Sequence, residues 1–328
     1  MKRREFIAGL LVAASSRQAS AQQPAKVHRI AMVTLPLPIA EITETSSLPY
    51  YPAFFRELRR FGYIEGRNLI VERYPVEPLT VELARDMLRS KPDVILSHGL
   101  WVRILKPLTT IPIVAVLADP VGLGLVASLA RPGGNITGFS IDAGPEVEAK
   151  RLQLLKEAFP QASRVGVLAA GYPGRGLYWE QQHEAAQRLG LLLLPPRLGT
   201  FQETEYRRFF EVMALEHADS LIVGSTQLET WANLRLIAEL AEKYRLPAIY
   251  PYRDYVEAGG LMAYAGDPVE LFTRVAGCIA QILNGALPGD IPIYQATKFD
   301  LLINLKAANA IGLTIPPSLL ARADQVIE

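Results

Sequence analysis

The chain has few of the residues from which metal centres and nucleophilic active sites are built. Its 328 residues include one cysteine and four histidines, and no pair of these stands at a spacing that ligates a metal ion. Neither a G-x-S-x-G nor an H-E-x-x-H motif occurs. The single cysteine, Cys278, lies in the apolar stretch VAGCIAQIL and is predicted to be a buried hydrophobic residue. These absences favour a binding protein over an enzyme, with no metal ion and no cofactor.

The chain also has no excess of positive or negative charge. Lys and Arg together number 34 and Asp and Glu 33, which excludes the broad basic field that holds a nucleic acid. Long hydrophobic runs are also missing, because the apolar stretch FIAGLLVAA near the N-terminus is about half of the roughly 20 residues that a membrane-spanning helix needs. We therefore predict neither a nucleic-acid partner nor a retained membrane anchor.

The first 21 residues have the three parts of a secretory signal peptide. MKRREF is the positively charged region, FIAGLLVAA is the apolar region, and Ala19-Ser20-Ala21 is the cleavage site of small residues. Arg3 and Arg4 are compatible with a twin-arginine signal, but the pair alone does not separate that route from general secretion. The alternative is an N-terminal helix that stays with the fold. Cleavage would leave a mature chain with a net charge of −2. We expect this mature chain to lie in the periplasm.

Strand-like and helix-like segments alternate along the mature chain. Val27–Val33 and Ile113–Leu117 are predicted to be buried strands and Pro52–Phe61 an amphipathic helix, with a further helix over Val121–Ala130. This alternation predicts an α/β architecture in which helices cover both faces of parallel sheets. About ten strands are more than one domain of this length usually holds, so we predict two doubly wound parallel-sheet lobes around a cleft.

The boundaries between the lobes are expected where glycine and proline interrupt the alternation. Such interruptions stand at IDAGP (141–145) and AGDP (265–268), and the Pro-rich stretch near residue 290 predicts a further crossing. We predict a first lobe of residues 22–141 plus about 267–290, and a second lobe of residues 142–266 plus about 291–328.

Gly122, Gly124 and Ala127 match the dinucleotide-binding pattern G-x-G-x-x-A. The pattern normally begins directly after a strand, whereas here Asp119 and Pro120 intervene, and an acidic residue would repel a pyrophosphate. Asp119 is better explained as the N-cap of a helix that begins near Val121. We interpret these glycines as structural and predict no dinucleotide cofactor.

Polar and aromatic residues follow several of the predicted strands, at the edge where open α/β sheets bind ligands. Serine hydroxyls together with free N–H groups suit a small anion, Asp119 would balance an ammonium group, and tyrosines would close over an apolar or ring-bearing part of the ligand. For any single residue, capping or packing is an equally good explanation, and a structural role for His98 is favoured over a catalytic one. The candidate ligand-binding residues are Thr34, Leu35, Ser97, His98, Gly99, Asp119, Tyr172, Ser225, Thr226, Tyr252 and Tyr264.

Four long blocks resemble a bacterial family of substrate-binding proteins of ABC transporters. They are FFRELRRFGYIEGRNLIVERY (54–74), DPVGLGLVASLARPGGNITGFS (119–140), RLPAIYPYRDYVEAGGLMAY (245–264) and TKFDLLINLKAANAIGLTIPPSLLARADQVIE (297–328). The resemblance implies a periplasmic-binding-protein-like fold of type I, with two lobes joined by three crossings. It also implies that the protein closes on a small polar organic ligand, such as an amino acid, aromatic ones included, and passes it to an inner-membrane permease without changing it.

Three departures from the family pattern lie where the pocket edge is expected. Bulky Trp101 stands in SHGLWVRIL, the stretch PLPIAEITETSSLPYYP (36–52) is long, and Tyr264-Ala265-Gly266 is shifted by one residue. The identity of the ligand is therefore left open. Two other functions also stay open: a ligand-sensing module for a receptor kinase, and a periplasmic enzyme, for which His98 is the one suggestive residue. A monomer suits all three functions.

Overall fold

The computed structural model describes residues 26–33, 39–75, 80–99, 101–117, 119–140, 144–169, 177–195, 202–224 and 233–328. Within these ranges strands and helices alternate, as the sequence predicts. In chain order the elements are β1 His28–Val33, α1 Tyr50–Arg60, β2 Leu69–Tyr74, α2 Val81–Arg89, β3 Val94–His98, α3 Trp101–Leu105, β4 Ile113–Leu117, β5 Ile136–Ser140, α4 Pro145–Ala158, β6 Arg164–Leu168, α5 Leu177–Arg188, β7 Leu192–Leu194, α6 Glu203–Leu215, β8 Ser220–Val223, α7 Leu234–Lys243, β9 Ala248–Tyr250, α8 Arg253–Glu257, β10 Met262–Gly266, α9 Pro268–Leu283, β11 Tyr294–Gln295, β12 Phe299–Asn304, α10 Leu305–Ala310, α11 Pro317–Leu320 and β13 Gln325–Ile327.

The strands form two sheets, which confirms the predicted α/β fold class. The first sheet has the order β11-β5-β4-β3-β1-β2 and is parallel throughout. The second has the order β13-β12-β10-β9-β8-β6-β7 and is parallel except where β12 pairs antiparallel with β10. The chain passes between the sheets three times: after β5, after β10 and after β11.

The central strands of the first sheet are buried on both faces, together with the polar residues Ser97, His98, Thr137 and Ser140 that they contain. Every residue of β3, β4 and β5 is buried, as expected of parallel strands that carry helices on either side. On one face of the first sheet the core contains Tyr50, Phe54 and Leu58 of α1, packed against Phe272 and Ile279 of α9. Helix α9 follows a strand of the second sheet but buries its apolar face against the first. This packing returns the chain from the second sheet to the first after β10.

The helix predicted over Val121–Ala130 is wrong. The structure has consecutive turns there, in which the N–H groups of Leu123 and Leu125 donate to the carbonyl oxygens of Asp119 and Pro120. The next stretch leaves helical geometry, because the N–H of Ala127 donates forward to the carbonyl oxygen of Pro132. Gly124 also has a φ of +65°, which a continuing right-handed helix does not allow.

Candidate functional site

The carboxyl ends of the parallel strands form the candidate site, because the chain crosses between the two sheets at this edge. Six of the candidate residues lie within the described ranges. The predictions made for Thr34, Leu35, Tyr172, Ser225 and Thr226 fall outside the described residues. Of the residues that can be placed, three end or follow β3, one follows β4, and two belong to the β9–β10 region of the second sheet.

Ser97 and His98 are the last two residues of β3 and are buried, at 0% and 4% exposure. Within the described part of the chain, the Ser97 hydroxyl and His98 Nδ1 have no hydrogen-bond partner. Burial lowers the pKa of His98 to about 4, so its imidazole is neutral at physiological pH. Its ring lies 6.4 Å from the ring of Phe272 in α9. His98 is therefore a packed neutral side chain whose Nδ1 lacks a partner among the described residues, which suits a structural or hydrogen-bonding role better than proton transfer.

Gly99 turns the chain after β3. Its φ is +53°, a conformation that favours glycine, and its N–H donates to the carbonyl oxygen of Val116 at 3.2 Å. This bond extends the pairing of β3 with β4 by one residue beyond the strand, and it fixes the position of Ser97 and His98 relative to the neighbouring strand.

Asp119 caps the turn that follows β4. Its carboxylate accepts a hydrogen bond from the Gly122 N–H at 2.8 Å, and the residue is exposed. A Cβ on Gly122 would lie 2.0 Å from Asp119 Oδ2, so any larger residue there would require the Asp119 carboxylate to move. The glycines of the G-x-G-x-x-A pattern therefore serve a carboxylate-capped turn, in agreement with the structural interpretation. The exposed carboxylate is also accessible to a ligand.

Tyr252 and Tyr264 have different surroundings, although both belong to the carboxyl edge of the second sheet. Tyr252, two residues after β9, is half-buried and packs against the cores of both sheets. Tyr264 in β10 is half-buried, and its ring stacks on Phe299 at a centroid distance of 5.4 Å and an interplanar angle of 27°. Tyr252 thus bridges the two halves of the molecule, whereas Tyr264 lies within the second.

Asp254 is a candidate that the sequence did not single out. It is the second residue of α8, two residues after Tyr252, and is half-buried. Burial, aided by the nearby Glu257 carboxylate, raises the pKa of Asp254 to about 6, against the lowering effects of a backbone hydrogen bond and of Arg253. Asp254 also lies close enough to Tyr50 of α1 for its charge to raise the pKa of that phenol, after the larger effects of burial and of Tyr51. The second sheet therefore presents a partly desolvated carboxylate towards the first.

The described residues contain no group of three His, Cys, Asp or Glu side chains that could hold a metal ion. The same part of the chain contains no helix that is long and apolar enough to cross a membrane. What the site offers is buried hydroxyl and imidazole groups on one side, and a carboxylate with tyrosine rings on the other. Such a set can bind a small molecule that has both charged and apolar parts.

Comparison with known proteins identifies the family. The profile described as ABC transporter substrate binding protein matches residues 62–327. A curated relative, the tyrosine-binding protein of Clostridioides difficile, is 24% identical over 291 residues, which cover 84% of this chain and 80% of the relative.

Solved structures share the fold. A conserved domain protein from Vibrio cholerae is 26% identical with a TM-score of 0.79, over 92% of this chain and 100% of that one. The ABC domain from Streptococcus pneumonia in complex with L-Trp is 23% identical with a TM-score of 0.75, again over 92% and 100% of the two chains. A ligand-free, open substrate binding protein from Clostridium difficile is 22% identical with a TM-score of 0.63, over 92% and 99%. The chain belongs to the family of ABC transporter substrate binding proteins.

Proposed function

We propose that this protein is exported to the periplasm, binds an amino acid with an aromatic side chain between its two lobes, and delivers it to an ABC permease. The match of the family profile to residues 62–327 carries the proposal. The ligand class is supported by the relatives, since one is called a tyrosine-binding protein and another was solved with L-Trp. Export is supported by the signal-peptide pattern of residues 1–21.

The lobes of this proposal are the two units that carry the sheets. We place the third boundary, expected from the sequence near residue 290, after Gln295, and the pairing of β11 with β5 of the first sheet supports this choice. The first lobe is then the chain up to Ser140 together with Pro268–Gln295, and the second is the rest of the mature chain. A ligand that contacts both lobes favours the closed arrangement, which is how binding would drive closure.

The groups at the carboxyl edge match the three parts of an aromatic amino acid. The ammonium group would pair with Asp254 or Asp119, the carboxylate would accept from Ser97, and the ring would lie against Tyr252 and Tyr264. Ser97 supports this assignment because its buried hydroxyl has no partner among the described residues, an arrangement that costs about 1–3 kcal/mol unless a ligand or water satisfies it. His98, with its neutral ring, would add one hydrogen-bonding nitrogen.

A thermal-unfolding screen of residues 22–328 tests the ligand class. Ligand at about a hundred times its Kd stabilises the native state by roughly 2.7 kcal/mol. We expect a shift with L-tryptophan, L-tyrosine or L-phenylalanine and none with galactose or allose. A shift with a sugar alone would refute the amino-acid assignment, and sugars are the right comparison because sugar-binding proteins share the fold at TM-scores of 0.52–0.58.

Two further measurements separate delivery from its alternatives. If the protein serves a receptor kinase instead of a permease, a kinase gene rather than permease and ATPase genes should adjoin its own. If it is an enzyme, prolonged incubation should convert a bound amino acid, whereas a binding protein returns it unaltered.

N-terminal sequencing tests export. The sequence of the exported chain should begin at Gln22, and a chain that retains Met1 would contradict the export proposal.

A further inference from the structure

The strand ends that flank the crossings between the sheets lie side by side. On the first-sheet side, β5 and β11, the strands that precede the first and third crossings, are paired, with Phe139 opposite Tyr294 and Ser140 opposite Gln295. On the second-sheet side, β10 and β12 are paired with Gly266 opposite Phe299. Ala296 of the third crossing lies beside Gly266, the residue before the second crossing, because a Cβ built on Gly266 would be 3.7 Å from Ala296 Cβ.

Side chains tie all three crossings together on the first-sheet side. The ring of Tyr294, which precedes the third crossing, lies 5.7 Å from the ring of Phe139, which precedes the first. The Tyr294 hydroxyl donates to Glu270 Oε1 at 2.9 Å, and Glu270 is in the first turn of α9, just after the second crossing. Arg274 completes the group, because it donates to Glu270 at 2.8 Å and its guanidinium lies 3.9 Å from the centre of the Tyr294 ring. We call these four residues the first clamp.

A second set ties the same crossings together on the second-sheet side. Arg151 of α4, which follows the first crossing, donates from Nε to the carbonyl oxygen of Tyr264 at 3.0 Å, and Tyr264 precedes the second crossing. The Tyr264 ring stacks on Phe299, the first residue of β12 after the third crossing. Glu148 accepts from Arg151 at 2.7 Å, and the side chains of this pair are 1% and 2% exposed. We call Glu148, Arg151, Tyr264 and Phe299 the second clamp.

Little chain is left between the clamps. The second crossing has a single residue, Asp267, whose carboxylate is engaged by the Val269 N–H at 2.8 Å. The third has residues 296–298. We propose that the two clamps make the crossings bend as one unit, so that their side chains set how far the lobes open and are positioning residues for ligand capture.

Exposure gives the two clamps different roles. The charged pair of the second clamp is buried, and its loss would disturb folding as well as bending. In the first clamp, Glu270 and Arg274 are 37% and 47% exposed, so a change there costs little stability and is weakened by salt. The first clamp is therefore the place to test the inference without unfolding the protein.

The experiment measures the lobe-to-lobe distance in the ligand-free protein. Spin labels on Arg85→Cys in α2 and Glu211→Cys in α6, both exposed positions, report it in a Cys278→Ser background. Glu270→Gln and Tyr294→Phe remove the charge and the hydroxyl of the first clamp while keeping the shapes of the side chains. Phe299→Leu removes the stacked ring of the second clamp. Glu203→Gln is the matched control, because Glu203 forms the same exposed i,i+4 pair with Arg207 on α6, away from the crossings.

We expect Glu270→Gln, Tyr294→Phe and Phe299→Leu each to widen the distance distribution at least twofold, and Glu203→Gln to leave it unchanged. Unchanged widths in both first-clamp variants would overturn the inference, as would equal widening in the control. Should Phe299→Leu fail to fold, the first-clamp variants still decide. The inference rests on the two-lobe arrangement of the proposed function, but this readout needs no ligand. Failure of L-tryptophan to bind, with the widening intact, would count against the proposed ligand alone.

Discussion

Asp254→Asn should stabilise the ligand-free protein and weaken ligand binding at the same time. Burial raises the pKa of this carboxyl to about 6 from an unfolded-state value of 3.8. The folded protein therefore prefers the protonated form, and that preference contributes stability below pH 3.8 that is lost as the pH rises through about 6. Asparagine has the same shape and no charge, so at neutral pH it avoids the cost of the buried carboxylate.

The size of the stability gain follows from the rise in the pKa of Asp254. Each pKa unit corresponds to about 1.4 kcal/mol, and the shift is about two units, which gives an upper limit of roughly 3 kcal/mol at pH 7.5. Water reaches the half-buried side chain, so we expect a gain in the free energy of unfolding of about 1–2 kcal/mol. At pH 4 the gain should largely vanish, because Asp254 is then mostly protonated in the folded state.

Two assays measure these effects. Urea unfolding of the wild type and of Asp254→Asn at pH 7.5 and pH 4 gives the change in stability, and titration of L-tryptophan at pH 7.5 gives the change in affinity. If Asp254 pairs with the ligand's ammonium group, affinity should fall at least tenfold in the variant. The wild-type affinity should fall as the pH drops below about 6. A variant that is less stable at pH 7.5 would refute the electrostatic reasoning, and an unchanged affinity would remove Asp254 from the binding site. Glu257→Gln is the control, since it removes a neighbouring exposed charge and keeps the Asp254 carboxyl, so it should change stability and affinity much less.

Three other changes test the packing and the site. Arg151→Met should cost about 3–5 kcal/mol in urea unfolding because it removes the buried guanidinium that pairs with the Glu148 carboxylate, and adding Glu148→Leu should recover most of the loss; no recovery would show that other contacts of the pair dominate. Gly138→Ala should lower the free energy of unfolding by more than about 3 kcal/mol, because its Cβ would lie 2.0 Å from the Ala115 carbonyl oxygen and its φ is +135°. Gly190→Ala, with open space around it, should lower it by about 1 kcal/mol. Equal losses would contradict the steric argument. Ser97→Ala should weaken L-tryptophan binding about tenfold in calorimetry without lowering the stability of the ligand-free protein, because the hydroxyl has no partner among the described residues; full affinity would exclude Ser97 from the site.

Several parallel strands were predictable because they contain short apolar runs buried on both faces, as IVAVL of β4 and SLIV of β8 show. The direction of β12 was not predictable, since FDLLIN has the same apolar character whether it pairs parallel or antiparallel. The helix expected over Val121–Ala130 failed because the helical spacing of its apolar residues competes with a capped turn. Asp119, Gly122 and Pro132 favour that turn.

The sequence placed Ser97, His98 and Asp119 at strand ends, but it gave no sign that Asp254 differs from a surface carboxylate. Asp254 stands between Arg253 and Tyr255 in a helix whose next acidic residue, Glu257, is exposed. Its altered pKa comes from burial near Tyr50, more than 200 residues earlier in the chain. Local sequence does not encode such an environment.

The sequence by itself determined the alternation of strands and helices, the two-lobe α/β fold and the family, because these depend on periodic burial and on long specific blocks of residues. Only the tertiary structure decided that α9 covers the first sheet, that Tyr252 packs against both cores, and that two side-chain clamps tie the three crossings. Each of these depends on residues that are distant in the chain and meet only when both sheets have formed. Their energies come from contacts that no local pattern records.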